Sequence, residues 1–196
     1  MTKELYEMTL AELWELFPIF LIDPTEKWKI NYAEIASKIL NIIDESEKIR
    51  ISHIGSTAIK GIMAKNIVDV LVEIPHYRSL TEVAEKLVQN GFIKMSADKN
   101  RISLNKGYTK SGFAEKVYHV HIRYMGDNDE LYFRDYLNEH ADVAKEYEQL
   151  KLKLWKRFEH DRDAYTAAKT DFIQHYTNVA KTEYGNKYRS NSNIDT

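Results

Sequence analysis

The chain has 196 residues, 43% hydrophobic and 12% aromatic, which suffices for one domain with a buried core. It has no cysteine, which excludes disulfides, thiolate metal sites and cysteine nucleophiles and is typical of cytoplasmic proteins. The net charge of −2 excludes a general attraction to nucleic acid. Because no long apolar run or signal-peptide pattern is present, we expect a cytoplasmic protein without membrane segments.

The first part of the chain predicts two helices. A capping-box pattern from Thr9 begins a short helix that Pro18 ends. Asp23 and Pro24 are suited to the N-cap and the first position of a second helix. Apolar residues then recur at three- and four-residue spacing, so one face of this helix is expected to pack against the core.

The middle of the chain predicts a sheet. The predicted strands cover residues 49–54, 66–74, 92–95, 101–105 and 117–124. Ser79 is expected to cap a helix that stops at Gly91. Residues 106–112 contain two glycines and two lysines, and they predict a mobile loop that closes over a ligand.

The remainder of the chain predicts a helical bundle. The predicted helices cover residues 129–139, 142–158 and 162–184, and the last two carry apolar stripes. Residues 185–196 are expected to be a flexible tail. The predicted organisation is therefore one domain at 1–184, with an α/β core at 1–127 and C-terminal helices at 128–184.

The turn after the first strand carries residues suited to phosphate binding. Gly55 lets the backbone approach a ligand closely, and Ser56 with the amides from Thr57 onward can donate hydrogen bonds to phosphate oxygens. On the next strand Asp69 interrupts an apolar run and can hold a divalent metal that bridges phosphates. The alternative is a tight turn between two buried strands.

On the predicted strand at residues 117–124, side-chain alternation places His119, His121 and Arg123 on one face. On the predicted strand at residues 66–74 it places Asp69 and Glu73 on one face. If these faces coincide, Asp69 and the two histidines form a catalytic and metal-binding cluster. Asp69 suits Mg²⁺ or Mn²⁺, whereas imidazoles favour a transition metal; alternatively one histidine acts as a base on a hydroxyl. Glu73, about 13 Å further along the strand, is expected outside the cluster. The opposing interpretation is a solvated sheet face.

Cationic residues supply candidate phosphate ligands. Lys65 precedes the Asp69 strand and can neutralise phosphate, although a solvated lysine is equally consistent. Three arginines offer planar guanidinium groups for phosphate contacts: Arg101, Arg123 and Arg134. Asp135 is not expected to pair with its neighbour Arg134. The basic run that begins at Lys151 is interpreted as a solvated helix face, and Lys169 is a weaker candidate.

Several segments together resemble the GrpB family. They are His53-Ile-Gly-Ser-Thr-Ala, Ala64-Lys65-Asn66-Ile-Val-Asp69, His119-Val-His121, and Phe133-Arg134-Asp135-Tyr136-Leu137 followed by Tyr147-x-x-Leu150-Lys151. That family is grouped by fold with the nucleotidyltransferase (polymerase-β-like) superfamily. The resemblance implies an α/β (α+β) fold: a mixed five-stranded sheet with flanking helices and a C-terminal helical bundle.

The resemblance also implies a function, with one departure. It implies metal-dependent transfer of a nucleotidyl group from a nucleoside triphosphate, with Gly55 and Ser56 on the phosphates and Asp69 on the metal. The superfamily pattern has a second acid where this chain has Leu71, and a third on a later strand, where this chain offers histidines. This departure favours the alternative, a non-catalytic protein that binds a nucleotide or another phosphorylated metabolite. A transition-metal hydrolase is a third interpretation.

Overall fold

A computed structural model of the chain describes residues 3–43 and 48–189. The α-helices in this part are α1 (Leu10–Leu16), α2 (Lys27–Ile43), α3 (Leu80–Gln89), α4 (Asp129–Glu139), α5 (Ala141–Phe158), α6 (Arg162–Ala167) and α7 (Thr170–Tyr184). The strands are β1 (Leu21–Ile22), β2 (Arg50–Ile54), β3 (Ala64–Lys65), β4 (Val68–Ile74), β5 (Ile93–Ala97), β6 (Arg101–Thr109) and β7 (Gly112–Tyr124). Within the described residues, no helix has the length and apolar character needed to cross a bilayer.

A mixed five-stranded sheet forms the centre of the fold, in the order β2-β4-β7-β6-β5. The neighbours β4 and β7 run parallel, and the other pairs run antiparallel. β1 and β3 form a separate two-stranded antiparallel sheet. The mixed α/β architecture predicted from the sequence is confirmed.

Alternation along β4 separates two layers of the core. One face of the strand carries Val70 and Val72, which pack with α2 and α3 in a fully buried cluster. The opposite face carries Leu71, which packs against Ile54 of β2 and Leu131 of α4. The polar-bearing face of the sheet therefore looks towards the C-terminal helices, where a cleft can form.

The N-terminal elements agree with the prediction only in part. Thr9 caps α1 as predicted, and its hydroxyl accepts a hydrogen bond from the Glu12 amide. The predicted helix start at Asp23 and Pro24 is wrong, because α2 begins at Lys27. The chain enters α2 from β1, which is paired with β3, and residues 23–25 remain outside the helix.

The loop predicted at residues 106–112 is wrong, because β6 and β7 continue through it as a hairpin. Gly107 has a φ of +93°, and the strand register shifts beside it between Lys106 and Tyr108. A Cβ on Gly107 would lie 2.3 Å from the Lys116 carbonyl oxygen. This glycine therefore serves a β-bulge in a continuous hairpin.

The C-terminal helices also differ from the predicted bounds. The third predicted helix is interrupted at Ala168 and Lys169, between α6 and α7. Residues 185–188 form turns, and Tyr188 packs edge-on against Tyr132 at 5.1 Å between ring centroids. Residues 190–196 lie outside the described residues, so the flexible tail stays a prediction there, whereas residues 185–188 have defined contacts.

Candidate functional site

Asp69, His119 and His121 lie together on the face of the sheet that looks towards the C-terminal helices. The parallel register pairs Asp69 with His119 and Leu71 with His121. The Asp69 Oδ1 atom lies 3.0 Å from His119 Nδ1 and 3.7 Å from His121 Nε2. The His119 side chain is 12% exposed and the other two are 25% exposed. The structure thus brings the three predicted central residues into contact.

His119 uses both ring nitrogens in hydrogen bonds. Its Nδ1 faces Asp69, and its Nε2 lies 2.8 Å from the Tyr108 hydroxyl and 3.4 Å from Arg162 Nη2. Burial lowers the pKa of His119, and the nearby Asp69 carboxylate only partly opposes this. The imidazole is therefore neutral near pH 7, with the Nδ1 proton donated to Asp69 and Nε2 accepting from Tyr108.

Asp69 is the anionic centre of the site. Burial would raise its pKa, but the hydrogen bonds from His119 and His121 outweigh this and hold the pKa well below its usual range. Asp69 is therefore ionised at neutral pH, and it orients the His119 ring.

Gly55 and Ser56 adjoin this centre, as predicted. Gly55 has a φ of +71°, and a Cβ there would lie 2.3 Å from Asp69 Oδ2. Ser56 follows it in a short 3-10 helix and interacts with the buried Tyr147 hydroxyl, whose pKa burial raises to about 12. Thr57 is turned away: its Oγ1 lies 2.9 Å from His53 Nε2 and donates to the Ile67 carbonyl.

Four cations lie on the helical side of the site, and three of them, Lys65, Lys169 and Arg162, lie close to Asp69. The Nζ atoms of Lys65 and Lys169 lie over the same Tyr165 ring, 5.6 Å and 4.2 Å from its centroid. The other two are Arg162, beside His119, and Lys151, whose ammonium donates to the Met63 carbonyl and lies 5.0 Å from the Tyr147 ring centroid. We call Lys65, Lys151, Arg162 and Lys169 the cation cluster.

The members of the cation cluster repel one another. Burial, together with the charge of Lys65, lowers the pKa of Lys169 to about 7. Burial and the charge of Lys169 lower the pKa of Lys151 to about 7, and burial with Arg162 lowers that of Lys65 to about 8. Within the described residues, Lys65, Lys169 and Arg162 form no ion pair within 4.0 Å of a carboxylate. Glu148 opposes the charge of Lys151, whereas the charge of the other three cations exceeds what Asp69 offsets.

Arg101 and Arg123, predicted to bind phosphate, lie elsewhere. Arg123 pairs with Glu130 at 2.8 Å, and Arg101 pairs with Asp127 at 2.7 Å. Arg123 is paired with Glu73 in the β4–β7 register and lies about 13 Å along the sheet from Asp69. It therefore cannot share a ligand shell with Asp69. This end of the sheet is a network of ion pairs away from Asp69, and the phosphate role of both arginines stays a prediction.

Arg134 is also held in a structural network. Its Nη1 donates to the His53 carbonyl at 2.8 Å, and its guanidinium pairs with Asp135 at 2.7 Å. The expectation that Asp135 is not its partner is therefore wrong, because the long fork-shaped side chain reaches back to its neighbour. The Nη2 atom that pairs with Asp135 also donates to the Tyr188 hydroxyl at 3.2 Å. Arg134 therefore links α4 to β2, and the phosphate role predicted for it stays a prediction.

A cleft of about 1310 Å³ opens beside His119 and His121. Tyr108, Arg162 and Asn105 contribute polar groups where the cleft meets the sheet. Its walls are largely apolar and are formed by α1, by Phe17 directly after α1, and by β5. The apolar side chains from α1 and β5 are Leu10, Leu13, Trp14, Ile93 and Met95. The volume exceeds that of a typical small-molecule site.

The comparisons with known proteins establish the family. The family model described as GrpB protein matches residues 18–178. The chain belongs to the GrpB family. Within it, the Glutamate-rich protein GrpB of Alkalihalophilus pseudofirmus is 34% identical over 167 residues, covering 82% of this chain and 94% of that protein. YqkA of Bacillus subtilis is 30% identical over 190 residues, covering 94% of this chain and 54% of YqkA, so the chain spans about half of that relative.

Solved structures agree with membership of the GrpB family and show the wider fold. GrpB from Enterococcus faecalis matches with a TM-score of 0.73 at 26% identity, covering 84% of this chain and 99% of that chain. A Cid1 poly(U) polymerase bound to MgATP matches with a TM-score of 0.52 at 12% identity, covering 81% and 52%. The resemblance to the GrpB family and its nucleotidyltransferase-like fold is therefore confirmed.

A divalent metal, which the nucleotidyltransferase-like fold implies, does not fit the residues of this GrpB family member. Asp69 is the single carboxylate of the centre, Leu71 occupies the position of the second acid, and His119 has no free nitrogen. Within the described residues, no group of three or more His, Cys, Asp and Glu side chains is arranged to hold a metal ion. The metal role predicted for Asp69, His119 and His121 is therefore not supported by the donor set.

Sequence reasoning missed part of this site. Arg162 and Tyr108 were not candidates, and Lys151, interpreted as solvated, is 1% exposed. The signal was present in the helical spacing: Lys151 follows Tyr147 by four residues, and Lys169 follows Tyr165 by four. A lysine in register with an apolar stripe faces the interior, and that position distinguishes it from a solvated lysine.

Proposed function

We propose that the protein binds a nucleoside triphosphate or another phosphorylated small molecule, with its phosphates between the Gly55–Ser56 turn and the cation cluster. The observation that carries this proposal is the convergence of Lys65, Lys169 and Arg162 on a single carboxylate, Asp69, with Lys151 beside Lys169 and close to Glu148. Three partly buried cations beside one anion are costly unless a further anion joins them. A phosphate chain is the biological ligand that best satisfies several ammonium and guanidinium groups at once.

The apolar cleft accommodates the rest of the ligand. It reaches Arg162 and His119 at its inner end, and Trp14, Ile93 and Met95 line its outer part. A base or another flat apolar group would bury its surface against these side chains, while the phosphates remain at the cation cluster. The likeness in fold to Cid1, whose solved structure carries MgATP, supports a nucleotide as the first ligand to test.

The test is calorimetric titration with ATP, UTP and tripolyphosphate, with adenosine as the unphosphorylated control. We expect binding of the phosphorylated compounds and at least a tenfold weaker affinity in Lys65→Gln and Lys169→Gln. Lys153→Gln is the matched control, because Lys153 lies exposed on α5 outside the cluster. Equal affinity in all three variants, or no binding of any phosphate compound, would contradict the proposal.

Nucleotidyl transfer is the second candidate, and the Asp69–His119 pair is the observation that favours it. Asp69 orients the neutral imidazole, and an acceptor hydroxyl that replaced Tyr108 at Nε2 could give its proton to His119. The acceptor oxygen would bond to the α-phosphorus as the bond from that phosphorus to the bridging oxygen breaks. Pyrophosphate would leave, and the cation cluster would neutralise its charge.

Phosphorus NMR tests this second candidate without a known acceptor, because water can replace the acceptor hydroxyl. During prolonged incubation with ATP, transfer predicts AMP and pyrophosphate, and His119→Gln should slow their release about 100-fold or more. Lys153→Gln serves again as the control. Unchanged ATP, or release of ADP and phosphate, would contradict nucleotidyl transfer.

A further inference from the structure

We infer that the phosphate chain binds to this site without a divalent cation, with Lys65, Lys169 and Arg162 taking the place of metal. The inference rests on the proposed function, because it concerns how the same ligand is held. Its first support is the donor set: a metal centre needs several oxygen ligands, and Asp69 is the single carboxylate beside Gly55. In the part of the chain that the structure describes, Asp69 belongs to no group of three or more His, Cys, Asp and Glu side chains that could share an ion.

The second support is the sign of the local charge. Lys65, Lys169 and Arg162 with the Asp69 carboxylate sum to +2 when all are ionised (+3 − 1), and the charge of Lys151 is offset by Glu148. A divalent ion placed on Asp69 would add two positive charges to a site in which lysines already repel one another. A phosphate chain that arrives without metal removes this repulsion, whereas a chain that carries Mg²⁺ brings less negative charge to the cluster.

The third support is the placement of the cations. Lys65 and Lys169 approach one aromatic ring from β3 and from the break between α6 and α7, and Arg162 begins α6 beside His119. The groups therefore come from different elements and surround a common volume. A phosphate chain can then bridge them as it would bridge metal ions, through charge-assisted hydrogen bonds from rigidly held side chains.

Calorimetric titration with ATP in the presence of a chelator, and again with excess Mg²⁺, tests this directly. We expect binding in chelator to be at least as tight as binding with Mg²⁺, and no heat from Mg²⁺ or Mn²⁺ alone. Affinity that rises more than tenfold on addition of Mg²⁺ would overturn the inference and leave the proposed function standing. Failure of ATP and tripolyphosphate to bind under either condition would instead overturn the proposed function.

The Asp69→Asn variant distinguishes phosphate binding by the cations alone from phosphate binding through a metal on Asp69. If the cations alone hold the phosphates, this variant should bind ATP in chelator with equal or higher affinity, because a repulsive carboxylate is gone. If a metal on Asp69 holds them, the variant should lose at least tenfold in affinity in the presence of Mg²⁺, and that result would overturn the inference. Circular dichroism at the titration temperature confirms that the variant is folded, and Lys153→Gln again serves as the unaffected control.

Discussion

Gly55 determines how closely the backbone approaches the carboxylate of the site. Its φ of +71° and ψ of −173° lie in a region that essentially only glycine occupies. The position of a Cβ there overlaps the Asp69 carboxylate, with Oδ2 at 2.3 Å. Conformation and space both require glycine, so the turn and Asp69 form one rigid unit.

Gly55→Ala should therefore lower the free energy of unfolding through two effects. Backbone strain costs about 1–3 kcal/mol, and displacing the Asp69 side chain costs about 1–3 kcal/mol more. The comparison is Gly61→Ala, which also has a positive φ of +69° but has nothing within 4 Å of the added Cβ. Urea unfolding of both variants checks this, and equal losses of stability would show that the contact with Asp69 is unimportant.

Asp69→Asn should destabilise the free protein. The carboxylate accepts the His119 hydrogen bond and offsets the charges of Lys65 and Lys169, so its loss is expected to cost about 1–3 kcal/mol. Melting temperatures of wild type and variant, each with and without Mn²⁺, check this. A variant as stable as wild type, or a large Mn²⁺-dependent shift of the wild type alone, would indicate a metal ligand instead.

The residues of the site were predictable where strand alternation is the cause. Asp69, His119 and His121 share a sheet face because side chains alternate along β4 and β7, and that period is visible in the sequence. The cation cluster was not predictable in the same way. Lys151 is a polar residue on the apolar stripe of α5, whereas Lys169 lies at the break between α6 and α7. Their meeting depends on how α5, α6 and α7 pack around β3.

The elements were predictable where their signals are local. Thr9 and Ser79 cap α1 and α3 as expected, because an N-cap needs only the amides of the next turn. The start of α2 depends on the pairing of β1 with β3, which are distant in the sequence. The bulge at Gly107 likewise depends on the pairing of β6 with β7. The local sequence around this glycine therefore predicts a loop, whereas the structure has a hairpin.

Removing the two caps should have different consequences. Ser79→Ala should lower the free energy of unfolding by about 1 kcal/mol, because α3 contributes four buried side chains to the core. Thr9→Ala should leave global stability nearly unchanged and raise hydrogen exchange across Leu10–Leu16, because α1 has no buried residue and forms only a wall of the cleft. Equal effects of both substitutions on urea unfolding would contradict this assignment.

The net charge of the whole molecule differs in sign from the local charge of the site. The net charge is −2, yet Lys65, Lys169 and Arg162 concentrate positive charge around one carboxylate, Asp69. Composition alone argues against a general attraction to nucleic acid and gives no indication of a local attraction to anions.

Stability and ligand affinity should respond to pH in opposite directions. In the unfolded protein a lysine has a pKa of about 10.4 and keeps its proton between pH 7 and pH 9. In the folded protein Lys65 has a pKa of about 8, and Lys151 and Lys169 each have a pKa of about 7, so these lysines lose their protons over this range. The unfolded state then binds more protons, so the free energy of unfolding rises with pH. A bound phosphate chain raises the lysine pKa values, so its affinity falls over the same range. Urea unfolding and calorimetry at matched pH values check this, and parallel trends would contradict it.

The most direct test of the account is a lysine NMR titration with and without tripolyphosphate. Protein labelled with ¹³C at the lysine Cε positions reports each pKa, and Lys→Gln variants assign Lys65, Lys151 and Lys169. We predict that these lysines titrate between about pH 7 and pH 9 in the free protein, well below the usual value of about 10.4, and shift upward when tripolyphosphate binds. Lysines that all titrate near their usual value and do not respond to tripolyphosphate would contradict the account.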